Sequence, residues 1–143
     1  MDVFHNLAMG FQAATTGEAL LFCFIGVTLG IFVGVLPGIG ALATISMCLP
    51  ITYYLEPMIA MIMLAGIFYG AQYGGSIASI LLNLPGDPPA AITCLDGYPL
   101  AKQGRAGVAL CITTLASFIG GSLSIILLIF FAPALAAFAI GFS

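Results

Sequence analysis

Charge is what this sequence lacks most. Its 143 residues include two Lys or Arg and five Asp or Glu, so 5% of the chain is charged, whereas soluble domains carry about 25%. Three charge-free stretches result, at 19–55, 57–86 and 106–143. Each is longer than the roughly 20 apolar residues that cross a bilayer. The composition therefore excludes a soluble fold and predicts an all-α integral membrane protein embedded in a lipid bilayer.

Signals for catalysis and metal binding are missing as well. The four cysteines form neither a CxxC motif nor a cluster with the single histidine, so neither a disulfide framework nor a zinc site is expected. The chain has no HExxH or GxSxG motif, and no segment pairs two carboxylates for acid–base chemistry. The sequence predicts no enzyme, no bound metal and no organic cofactor, and we expect no nucleic-acid partner.

The N-terminus also lacks the basic residues of a secretory signal, and the apolar run after it exceeds the about 7–15 residues of a signal h-region. Residues 3–14 place apolar side chains at helical spacing, which predicts a short helix lying at the membrane interface.

The motif Leu-Pro-Gly occurs twice in this apolar chain, at 36–38 and at 84–86. As one straight helix, residues 19–55 would extend about 55 Å at roughly 1.5 Å per residue, against a hydrocarbon core of about 30 Å. The first run must therefore break. Pro37-Gly38 is the predicted place, because proline removes a backbone donor and glycine permits positive φ. The second motif closes the next apolar segment.

These considerations predict a single transmembrane domain over 1–143, a multi-span helical bundle whose helices break at Pro-Gly motifs. After the interfacial helix, the predicted apolar spans are about 18–36, 40–54, 57–83 and 106–131, and another starts after Pro133. Two series of glycines spaced four apart predict close helix packing: Gly26, Gly30 and Gly34, and Gly66, Gly70 and Gly74.

A polar loop is predicted around the two basic residues, Lys102 and Arg105. Asp96-Gly97 and Tyr98-Pro99 are dipeptides typical of turns. The positive-inside tendency places this loop in the cytoplasm, so Lys102 and Arg105 are interpreted as determinants of topology.

Breaks in membrane helices suggest transport. Irregular backbone at membrane depth persists only against protein or beside a wet cavity. Secondary transporters use such breaks because the start of a half-helix presents free N–H groups and a positive dipole. A polar stripe approaches the second break at helical spacing, namely Gln72, Ser76, Ser79 and Asn83. The alternative is a structural or scaffolding membrane subunit without its own substrate site, in which the prolines merely kink helices.

Three blocks of sequence closely resemble one family. They are GVLPGIG at 34–40, YGGSIASILLNLPGDPPAAIT at 73–93 and DGYPLAKQGRAGVAL at 96–110, and they are similar to the large membrane subunit of the tripartite tricarboxylate transporters, the TctA family. The resemblance implies a multi-pass permease subunit of the bacterial inner membrane, part of a repeat-built secondary transporter. It implies ion-coupled symport of tricarboxylates or related organic anions, with a small membrane subunit and a periplasmic solute-binding protein as partners. Members of the family are several-fold longer, so we expect this chain to be an N-terminal portion.

The resemblance, carried over position by position, also selects candidate site residues. We hypothesise that backbone N–H groups from Gly38 to Ala41 receive a substrate carboxylate. Asp87 either binds the coupling ion, Na⁺ or H⁺, or is simply hydrated at a membrane edge. The candidates for substrate binding are Pro37, Gly38, Gly40, Thr44, Ser76 and Asn83, and those for ion coupling are Asn83, Gly86 and Asp87.

Overall fold

The computed structural model describes the backbone of residues 3–140 and the side chains of residues 5–132, 135 and 138. Across residues 3–140 the chain is helical and forms no strand. The helices are α1 (Val3–Ala14), α2 (Gly17–Gly34), α3 (Gly40–Thr52), α4 (Pro57–Leu82), α5 (Ala90–Leu100) and α6 (Ala106–Ile140). Three helices are long and apolar enough to cross a membrane: α2, α4 and, within the apolar stretch Ala90–Ala132, α6. The predicted all-α membrane fold with helices broken at Pro-Gly motifs is confirmed.

Local sequence explains where these helices begin and end. α2 starts after Thr16, whose hydroxyl accepts a hydrogen bond from the Ala19 N–H at 3.4 Å. α4 starts at Pro57, a residue that lacks an N–H where none is needed. The break after α2 is made by Gly38 (φ 91°), and α4 ends at Asn83 (φ 59°). Asparagine is among the few non-glycine residues that tolerate this left-handed conformation.

α2 and α4 pack through the two predicted glycine series. Any Cβ added to the glycines of α2 would strike the backbone of α4: Gly26 meets Met63, Gly30 meets Ile67 and Gly34 meets Ala71. Because residue numbers rise together along both helices, α2 and α4 run parallel. Backbones in such close contact have no room for side chains, which is why the seam is made of glycine.

The parallel arrangement brings the two Leu-Pro-Gly breaks together. α4 continues past the end of α2, and after Asn83 the chain folds back along α4. A Cβ on Gly86 would lie 2.6 Å from the Gly34 carbonyl oxygen and 2.9 Å from the Gly75 Cα. The second break is therefore packed directly against the end of α2, where the first break begins.

Two sequence expectations in the following segment were wrong. Asp96-Gly97 and Tyr98-Pro99 lie inside α5 and form no turns. The physical reason is tertiary: α5 packs on α4 so closely that a Cβ on Gly97 would lie 2.7 Å from Ile80 Cγ1. The chain reverses only at residues 101–105, where Gly104 has φ 79°. Lys102 and Arg105 are exposed in this turn.

The expected boundary at Pro133 is likewise absent from the described backbone, because α6 continues as one helix to Ile140. An internal proline removes one helical hydrogen bond. In an apolar segment, a full break would leave several backbone groups without partners, so continuing the helix costs less.

Candidate functional site

A cavity of about 500 Å³ lies where the two breaks meet. This volume is within the range of about 300–1,000 Å³ typical of small-molecule sites. The cavity is lined by the start of α3, the middle of α4 and the second break, with Gly38, Ile39, Gly40, Ala41, Leu42, Phe68, Gln72, Gly86, Asp87, Pro88 and Pro89. Phe68 and Gln72 place the cavity beside the middle of α4, a helix long and apolar enough to cross a membrane.

The first turn of α3 lies on the wall of this cavity. The N-cap residue Ile39 provides no side-chain hydrogen bond, and the first N–H groups of any helix lack an intrahelical partner. Gly40, the first residue of α3, has φ 64°. One turn later the buried Thr44 hydroxyl donates to the Gly40 carbonyl oxygen at 2.9 Å. The start of α3 is thus held in place while its N–H groups and positive dipole remain available to an anion.

The carboxylate of Asp87 lies at the same helix start. A Cβ on Gly40 would be 2.6 Å from Asp87 Oδ1, so a side chain at this position would displace the carboxylate. Asp87 Oδ2 is buried and has no hydrogen-bond partner within the described structure. The fold-back of residues 83–89 removes this oxygen from solvent, although Asp87 as a whole is only half-buried. A buried, unpartnered carboxylate oxygen is energetically costly.

A smaller cavity of about 160 Å³ adjoins the first on the other side of Gln72. Its lining combines Gln72 and Ser76 of α4 with Thr93 of α5 and Ser117 of α6. The Ser76 hydroxyl donates to the Gln72 carbonyl oxygen at 3.1 Å. The Gln72 side chain therefore stands between two cavities and can present its amide to either.

The comparisons with known proteins agree with this architecture. The family model described as "Tripartite tricarboxylate transporter TctA family" matches residues 20–143. The chain belongs to the TctA family. TctA proteins are components of membrane transporters, so the expectation that the chain is no enzyme holds.

One relative of this TctA chain is the "Uncharacterized 52.8 kDa protein in TAR-I ttuC' 3'region" of Agrobacterium vitis, which is 52% identical over 142 residues. The match covers 99% of this chain, which spans 28% of the relative's length. No solved structure matches the chain.

The TctA structure brings some of the candidate residues together and separates others. Gly38, Gly40, Gly86 and Asp87 line the large cavity, whereas Ser76 lines the smaller one. Thr44 is buried just behind the start of α3. The other two candidates, Pro37 and Asn83, are exposed and line neither cavity.

Sequence reasoning did not select five of the lining residues, Leu42, Phe68, Gln72, Pro88 and Pro89. Gln72 carried a usable signal, since it begins the polar stripe of α4 and a buried amide needs partners. Phe68 carried none, because an aromatic residue in an apolar helix is ordinary. The two prolines were visible in the motif, but their position depends on the fold-back after Asn83.

The charge around the large cavity is one-sided. Asp87 is the single formally charged residue among those that line it. The two basic residues lie in the turn after α5, where Lys102 Nζ is 5.0 Å from the centre of the Tyr98 ring. Among the described residues, any attraction for an anion in this cavity must come from the α3 dipole, backbone N–H groups and the Gln72 amide.

Proposed function

We propose that this TctA chain forms part of the permease subunit of an ion-coupled symporter in the bacterial inner membrane. Its substrates are tricarboxylates or related organic anions, which a periplasmic solute-binding protein delivers and a small membrane subunit helps to import. The observation that supports this most directly is the cavity at the junction of the two breaks, which brings a helix start beside the middle of the membrane-length helix α4.

In this proposal the start of α3 receives a substrate carboxylate through backbone N–H groups from Gly38 to Ala41. The Gln72 amide donates a further hydrogen bond. Thr44 holds the first turn through its bond to the Gly40 carbonyl oxygen, Pro37 sets the break, and Ser76 supplies a hydroxyl to the adjoining cavity. Asn83 allows the chain to fold back, so that Gly86 and Asp87 reach the site where the coupling ion binds.

Uptake of radiolabelled citrate and related carboxylates tests this proposal. Cells expressing the assembled transporter are compared with and without a Na⁺ gradient and a proton gradient. Gly38→Leu should abolish uptake, since leucine strains the φ of 91° and fills the mouth of the cavity. Gly120→Leu is the matched control, because a side chain at Gly120 meets nothing within 4 Å.

Normal uptake by Gly38→Leu would contradict the assignment of the site. If the assembled wild-type transporter moved no organic anion under either gradient, the transport proposal itself would fail, and the structural-subunit alternative would be preferred.

A further inference from the structure

The large cavity combines features that conflict electrostatically. It offers backbone N–H groups suited to an anion, yet the one charge on its lining is the negative charge of Asp87. Asp87 Oδ1 lies against Gly40, the first residue of α3. The protein's own carboxylate therefore lies beside the place where a substrate carboxylate would be received.

We propose that Asp87 binds a single monovalent cation, H⁺ or Na⁺, and that this neutralisation is required before a substrate carboxylate can enter the cavity. The inference rests on the proposed function and adds a specific order to it. The negative charge of Asp87 repels a substrate carboxylate until a bound cation neutralises it. Cation binding and anion binding therefore depend on each other.

The unpartnered oxygen of Asp87 supports cation binding at this residue. Asp87 Oδ2 is buried without a hydrogen-bond partner among the described residues, and a buried charge normally requires a counter-charge or a proton. The Gly34 carbonyl oxygen, a neutral oxygen of the kind that Na⁺ prefers, packs against Gly86, the residue before Asp87. A proton on Oδ2 would satisfy the same oxygen without further ligands.

Repulsion between the Asp87 carboxylate and a substrate carboxylate explains why a cation must bind before the anion. Two carboxylates that share one site cannot both remain ionised at low cost. Asp87 is the one titratable residue on the large cavity, while Tyr69 and Tyr73 of α4 line the smaller cavity. The elements packed against Asp87, which are α3, α4 and residues 86–89, present no other titratable side chain to the large cavity within the described structure.

Equilibrium binding of radiolabelled citrate to the purified assembled transporter tests the inference. One series varies Na⁺ against choline at fixed pH, and a second varies pH in choline alone. We expect one of the two cations to raise the affinity of the wild type for citrate by about tenfold or more, equivalent to roughly 1.4 kcal/mol. By reciprocity, citrate should raise the affinity for that cation by the same factor.

Asp87→Asn should bind citrate without either cation, at the affinity of the cation-saturated wild type, and its affinity should no longer change with that cation. Asp87→Glu, which keeps the carboxylate, should retain the dependence. Asp96→Asn is the matched control, since Asp96 is exposed on α5, and it should behave as the wild type. The ionisation of citrate itself is the same for every protein, so it cancels in the comparison of pH profiles.

Two results would overturn the inference while leaving the proposed function intact: citrate binding by the wild type that responds to neither cation, or an Asp87→Asn variant with an unchanged cation dependence. The first requires no variant, so a folding defect in Asp87→Asn cannot obscure it. If neither citrate nor any related carboxylate binds or is transported, the proposed function fails, and this inference fails with it.

Discussion

The seam between α2 and α4 and the junction of the two breaks are both rich in glycine, but they use glycine for different physical reasons. In the seam the glycines are helical, and what matters is size, since a Cβ on Gly30 or Gly74 would strike the facing backbone. At the break what matters is conformation, since Gly38 and Gly40 have φ values of 91° and 64°. The seam is closed by backbone contact, whereas the break is open to a cavity.

This difference assigns separate tasks to the two regions. The seam fixes the parallel register of α2 and α4, and that register alone brings the Gly34 end of α2 against Gly86. The break then exposes N–H groups that a continuous helix would have used internally. Substitutions in the seam should therefore reduce stability, with transport lost as a consequence, while substitutions at the break should reduce transport more than stability.

The largest effect is expected from Gly70→Val in the seam. Its side chain would overlap the Val27 carbonyl group of α2. This group is backbone and cannot move aside as a flexible side chain could. We expect the free energy of unfolding to fall by about 3 kcal/mol or more, the upper end of the range for overpacking. Thermal unfolding of the detergent-solubilised transporter, followed with a thiol-reactive dye, measures it. Gly120→Val, in open space, is the control and should change stability by less than about 0.5 kcal/mol.

Gly40→Ala sharpens the comparison at the break. The added methyl would lie 2.6 Å from Asp87 Oδ1, and the alanine backbone would have to adopt a φ of 64°. We therefore expect carboxylate uptake to fall by at least an order of magnitude. The conformational cost to stability is about 1–2 kcal/mol. Gly104→Ala is a close control because it carries the same kind of strain, at φ 79°, with nothing within 4 Å. Equal losses of uptake in both variants would show that strain, and not the cavity, is responsible.

Sequence reasoning predicted the helical membrane fold, both breaks and both glycine series, because these follow from length, composition and the cost of unpaired backbone in lipid. It did not predict that the glycines of α2 pack against α4. Glycine spacing identifies a helix face suited to close packing but does not identify the helix that packs on it. It also treated Asp96-Gly97 as a turn, because local propensity cannot register the contact of Gly97 with Ile80.

The candidate site shows the same division. Gly38, Gly40 and Asp87 were selected from motifs, yet the contact between Gly40 and Asp87 joins residues far apart in the chain and emerges only from the fold. Asn83 was selected as a ligand-binding candidate because the family resemblance carries it over. Its left-handed backbone provides a second, local reason for its presence.

Gln72→Leu should produce a smaller and more selective effect than Gly40→Ala. The side chain lines both cavities, and leucine has similar volume but no donor. We expect KM for the carboxylate to rise by about tenfold, the cost of roughly one hydrogen bond to a charged group, with little change in thermal stability. Gln103→Leu, in the exposed turn after α5, is the control. An unchanged KM in Gln72→Leu would remove the amide from the site.

The smallest effect is expected where α4 meets α6, at a contact made by side chains alone. Thr114 Oγ1 lies 2.8 Å from the Tyr73 hydroxyl and donates to the Leu110 carbonyl oxygen at 2.8 Å. Because a hydroxyl has one proton, the Tyr73 hydroxyl must be the donor to Thr114. Thr114→Val keeps the shape of the side chain and removes this acceptor. The free energy of unfolding should fall by about 0.6 kcal/mol, the average for hydrogen bonds between membrane helices.

The same thermal assay measures the effect of Thr114→Val, and carboxylate uptake should stay at the wild-type level since Thr114 does not line either cavity at the breaks. A loss as large as that of Gly70→Val would mean that α6 is held as rigidly as α2. The contrast between a backbone seam that fixes register and a side-chain contact that tolerates change would then have to be abandoned.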